Sequence, residues 1–128
     1  MRNLRMKMTD TITIKDDYIL VEPREAEFWE IWETLGRLFQ MPEYPDKDVI
    51  WFFNPGPLKI AYDELYKIKD FLKENYPENA KPHKKVAIVV STGLHAAMAT
   101  EYTRIVEGLP VEFKVFSDLD AAEKWIVP

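Results

Sequence analysis

Val86-Ala87-Ile88-Val89-Val90 runs for five residues without a polar side chain, and Ser91-Thr92-Gly93 follows it directly. An unbroken apolar run of this length suits a strand covered on both faces, as in the interior of a parallel sheet. Parallel neighbours cannot be joined by a tight turn, so helical crossovers are expected on either side. Downstream, Leu94, Ala97, Met98, Tyr102 and Ile105 recur at helical spacing over 94–107. Gly108 and then Pro110 stop that helix. Upstream, Ala61, Leu65, Ile68 and Leu72 stripe residues 61–75, and Phe71 and Tyr76 widen the stripe. Residues 77–82 form a polar connector.

Further upstream, Val49-Ile50-Trp51-Phe52-Phe53 is a second apolar run and a second covered strand. Asn54-Pro55-Gly56-Pro57 after it must be loop. Phe28, Ile31, Trp32, Leu35, Leu38 and Phe39 form one helical stripe, which predicts a helix over 24–40. Pro23 suits its first turn, and Pro42 and Pro45 prevent its continuation. Residues 11–15 and 18–22 are short β-rich runs around Asp16-Asp17 and predict a hairpin. Toward the other end, Val111, Phe113 and Val115 alternate with Glu112 and Lys114, the pattern of an edge strand. Ser117-Asp118-Leu119-Asp120 opens a last helix, with Ser117 as the expected cap and Asp120 reaching back. Leu119, Ala122, Trp125 and Ile126 close the core. The order is ββαβαβαβα. It describes a single α/β domain over 9–128, after a flexible tail over 1–8. The sheet is expected to be mixed, with parallel central strands, an antiparallel N-terminal hairpin and flanking helices.

Composition narrows the function. The chain has 128 residues, a net charge of −5 and no cysteine. That excludes disulfides, a thiolate nucleophile and cysteine-based metal sites. His83 and His95 alone do not make a histidine-rich metal site, and no cofactor motif is present. Net acidity argues against nucleic acid as a partner. Neither a signal peptide nor a membrane span is visible. The expected location is therefore the cytoplasm, with no integral membrane association.

The C-terminal third carries a resemblance. Lys84-Lys85-Val86-Ala87-Ile88-Val89-Val90 looks like the fourth strand of the SpoIIAA-like branch of the STAS superfamily, often labelled STAS/SEC14 domain proteins. The stretch from Phe113 to Ile126, with its Val-Phe, the Asp118-Leu119 turn, Ala121-Ala122 and the closing Trp125, resembles that branch's final strand and helix. The element order agrees over 9–127. The resemblance implies a small non-catalytic module for protein–protein contacts or for binding a lipid or small ligand. One departure stands out. Anti-sigma-factor antagonists of the superfamily are switched by a phosphorylated serine at the start of the helix after the third strand. The matching stretch here, Asn54-Pro55-Gly56-Pro57-Leu58-Lys59-Ile60, has no Ser or Thr.

Chemical candidates are few. Glycine-rich phosphate loops and a GxSxG elbow are absent. Ser91, Thr92, Gly93 and His95 sit where a strand end meets a helix start, a place that favours an anion. Asn54 and Gly56 follow the neighbouring strand and can line the same shallow pocket. Ser91 and His95 also allow a hydrolase reading, without a nameable acid or oxyanion hole. The alternative reading of the same residues is capping and connection. Trp29, Tyr44 and Tyr62 are the candidate interface residues: Trp29 could anchor a homodimer or partner contact, and Tyr44 and Tyr62, around the proline-rich loops, could line a ligand groove, with core packing as the alternative. Seven carboxylates from Asp16 to Glu33 against Arg24 alone make a local net charge of −6, read as a solvated face. The leading expectation is an interaction or ligand-binding module. A small lipid or metabolite carrier stands second and a Ser91/His95 hydrolase third.

Overall fold

The computed structural model describes residues 11–53, 59–91 and 93–128. The expected tail over 1–8, together with Asn54, Gly56 and Thr92, lies outside the described residues. Within them the order is β1 (Ile12–Ile14), β2 (Tyr18–Val21), α1 (Phe28–Phe39), β3 (Asp48–Phe53), α2 (Tyr62–Asn75), β4 (Lys84–Val90), α3 (Gly93–Ile105), β5 (Val111–Phe116) and α4 (Leu119–Ile126). A 3₁₀ turn, Tyr44–Asp46, fills the proline-rich break between α1 and β3.

The strands form one sheet in the order β1-β2-β3-β4-β5. β1 and β2 are antiparallel, with Ile12 opposite Val21. Their two-residue turn is closed by the Lys15 N–H donating to the Tyr18 carbonyl at 2.9 Å. All other pairs are parallel. The sheet is mixed, as the sequence predicts.

Each of the three crossovers joins neighbouring parallel strands. With one hand of crossover throughout, their helices all fall on the same side of the sheet. Ile31, Leu35 and Leu38 of α1, Leu65, Ile68 and Leu72 of α2, and Met98 and Ala99 of α3 pack there on Val49, Trp51, Val86, Ile88 and Val90. Among the described residues α4 alone covers the opposite face, where Ala122 and Ile126 meet Leu20, Ile50, Ala87 and Val89. The two unbroken apolar runs are thus explained: β3 and β4 are interior strands with a core on each side. β5 lies at the sheet edge, with Val111, Phe113 and Val115 half-buried and Glu112 and Lys114 exposed.

Three local expectations are corrected. First, α1 starts at Phe28 rather than at 24, and Pro23 stands outside it. The buried Glu30 carboxylate reaches back over the preceding loop. It accepts the backbone N–H groups of Arg24 at 2.8 Å, Glu25 at 2.9 Å and Ala26 at 2.7 Å. Ala26 takes the left-handed conformation at φ 56°, which breaks the helix that the stripe suggested. Second, Asp118 and not Ser117 caps α4, its carboxylate accepting the Ala121 N–H at 2.8 Å. Third, Trp32 is 38% exposed rather than in the core. It lies against Phe28 and Phe71, with ring centroids at 5.3 and 4.6 Å.

Candidate functional site

The strand end marked by the sequence is where it was expected. β4 runs out at Val90, Ser91 is exposed, and Gly93 opens α3 with open space where a Cβ would stand. His95 is half-buried on the first turn. Thr92, Asn54 and Gly56 lie outside the described residues, so the pocket expected from both strand ends is not built by those that are described. No group of three or more His, Asp or Glu side chains among the described residues is placed to hold a metal ion.

Of the three interface candidates, two are on the surface. Trp29 on α1 and Tyr62 at the start of α2 are each 56% exposed. The Trp29 indole N–H donates to the Glu27 carboxylate at 2.6 Å. Tyr44 is corrected as a surface contact: it is 3% exposed and belongs to the core, the alternative that the sequence left open. The 3₁₀ turn tucks its ring under α1, where it meets Phe39 at 5.1 Å and the edge of Tyr76 at 6.3 Å between centroids.

Tyr44 also borders a cavity, whose other walls the sequence does not announce. Between the sheet and the three helices on its larger face lies a space of about 80 Å³. Its walls are almost wholly apolar, with Trp51 and Ile88 from the sheet, Ile68 from α2 and Met98 from α3. Three tyrosines interrupt them: Tyr44, Tyr76 and Tyr102. Tyr102 stands edge-on to Phe113 at 5.5 Å. The Tyr76 hydroxyl is buried without a hydrogen bond of good geometry, and the Tyr44 hydroxyl lies close enough to interact with it. Burial pushes all three phenols above their ordinary range, so each is a neutral O–H donor at physiological pH. A poorly paired buried hydroxyl retains part of a desolvation cost of about 1–3 kcal/mol. A ligand atom that accepts its proton would recover that cost.

The floor beneath the tyrosines is held by Lys84, which is fully buried. Its ammonium donates to the carbonyls of Tyr44 and Lys47 and sits 3.7 Å from the Tyr44 ring centre. Burial pushes its pKa down to about 8, against the pull of Asp48. Asp48 is committed elsewhere: it accepts the Lys85 N–H at 2.8 Å and pairs with Lys81 at 3.1 Å. Lys84 is therefore a clasp that ties the 3₁₀ turn to β4 and fixes Tyr44 in the cavity wall.

Sequence reasoning passed over Tyr76, Tyr102 and Lys84. The period of two in β4 does place Lys84 on the same face as Val86 and Ile88, which marks a buried lysine. For the tyrosines the stripes signal burial but not what their hydroxyls meet. Comparison with family models, curated proteins and solved structures finds no match to this chain. No helix among the described residues is long and apolar enough to cross a membrane.

Proposed function

We propose that the chain is a non-catalytic ligand-binding module of the SpoIIAA-like type, and that it receives a small apolar group bearing one hydrogen-bond acceptor. The carrying observation is the apolar cavity with Tyr76 in its wall, a residue whose buried hydroxyl lacks a hydrogen bond of good geometry. The family reading is supported by the mixed sheet with its antiparallel hairpin and by the Asp118-Leu119 helix start that leads to Trp125. Residues 54–60 carry no hydroxyl for a phosphoryl switch, which favours ligand occupancy over phosphorylation as the input.

Size sets the class of ligand. Pockets that enclose whole metabolites run from roughly 300 Å³ upward. At about 80 Å³ the space suits a short alkyl ketone, ester or alcohol, or one end of a longer molecule. This ranks the module above a carrier that encloses an entire lipid.

The test uses cyclopentanone and cyclopentane as probes, followed by NMR of the Ile68, Ile88 and Met98 methyl groups. Both are expected to give saturable shifts. Tyr76→Phe is expected to weaken cyclopentanone by roughly fivefold, the worth of about 1 kcal/mol, and to leave cyclopentane unchanged. Absence of saturable shifts, or equal weakening of both probes, overturns the reading.

A further inference from the structure

β5 ends the sheet. Its inner edge pairs with β4 from Val111 to Phe116. Among the described residues its outer edge pairs with nothing. Such an edge offers a row of free N–H and C=O groups to another strand, and proteins commonly guard it with charge. The charges on β5 do not guard it against its own copy, because they come as a Glu112 and Lys114 pair around Phe113.

We infer that β5 is a homodimer interface, in which a second copy of this chain pairs antiparallel with it about a twofold axis at Phe113. The argument is one of register. Directly opposed residues of an antiparallel pair share a face of the sheet. Centring on Phe113 sets Glu112 against Lys114 of the second copy, and Lys114 against its Glu112. The same register sets Val111 against Val115, and Phe113 against its own counterpart. Every opposed pair then matches in character.

Neighbouring registers fail. A shift of one residue opposes Phe113 to Lys114 and turns each apolar face onto a polar one. The next shift opposes Lys114 to Lys114, or Glu112 to Glu112, and like charges directly opposite are destabilising. The strand is thus self-complementary in one arrangement, as an isologous twofold contact requires.

The surroundings fit that arrangement. Lys114 lies on the α4 face, its ammonium 5.6 Å from the Phe116 ring centre and 5.8 Å from that of Trp125. Lys85, the neighbour of Glu112 across the ladder, is already engaged with the Trp125 carbonyl at 3.0 Å. Glu112 makes no ion pair among the described residues. On the other face a groove runs between β5 and the end of α3, lined by Val111, Phe113, Thr100, Thr103 and Glu107. Half-buried Val111, Phe113 and Val115 are the apolar surface that a second copy would finish covering.

Sedimentation velocity on the full chain tests this with a charge swap. The unaltered protein is expected to be a dimer. Glu112→Lys and Lys114→Glu, each of which sets like charges against each other twice, are expected to weaken association roughly tenfold or more. The double variant Glu112→Lys/Lys114→Glu restores complementarity and is expected to dimerise again, with circular dichroism verifying the fold of all three. A monomeric parent at its highest soluble concentration overturns the inference. So do single variants that remain dimeric, a folded double variant that stays monomeric, or a dimer that Trp29→Ala alone dissolves.

Discussion

Lys84 shows how one residue can be both foreseeable in position and unforeseeable in role. Alternation along β4 places it beneath Val86, yet the reason a lysine is tolerated there is tertiary. The carbonyls of Tyr44 and Lys47 and the face of Tyr44 surround its ammonium. Its pKa near 8 in the folded chain lies below the 10.5 of an ordinary lysine, so the unfolded chain binds more protons between those values. Stability should therefore rise as pH increases through that window. The raised tyrosine pKa values work the other way, but only as unfolded tyrosines begin to ionise near pH 10. Urea midpoints measured at about pH 7.5 and pH 9 isolate the lysine effect. The midpoint is expected to increase with pH in the parent and to stay level in Lys84→Met. A parent midpoint that falls would show that the clasp stabilises the ammonium more than burial penalises it.

At the scale of elements, the ends of helices departed most from the sequence reading. The hydrophobic stripe of α1 was legible residue by residue, but its start was not. Glu30 is a member of the acidic run that reads as a solvated face, and only the fold turns it inward onto three backbone donors. The same competition between adjacent polar residues decides α4. Ser117 and Asp118 are both good caps, and a shift of one residue separates the two readings. With Asp118 in place, Asp118→Ala is expected to lower stability by about 1 kcal/mol. Ser117→Ala is expected to stay within about 0.5 kcal/mol of the parent. Thermal melts of the two variants check this, and a larger loss in the serine variant would return the cap to Ser117.

At the scale of the whole molecule, the cavity follows from an asymmetry in how the sheet is covered. Among the described residues three helices share one face and a single eight-residue helix covers the other. Three helices meeting over a twisted sheet leave a space where their stripes do not interdigitate, and here it is bordered by the small residue Ala99. Ala99→Leu is expected to fill that space, raise stability by about 1 kcal/mol and abolish cyclopentane binding. Chemical denaturation with the methyl shifts described above measures both. Loss of stability without loss of binding would place the probe elsewhere.

The chain by itself determined the element order, the parallel sense of the central strands, the edge character of β5 and the burial of β3 and β4. These follow from periodicity, turn residues and the length of each connection, all of which are local in the sequence. Only the tertiary structure decided that Tyr44 is a wall rather than a surface contact, that Glu30 faces inward, and that Tyr76 meets Tyr44. Each of these depends on residues distant in the chain meeting at close range. A pattern along the sequence can say that a side chain is buried, but what it meets there is set by how the helices pack on the sheet.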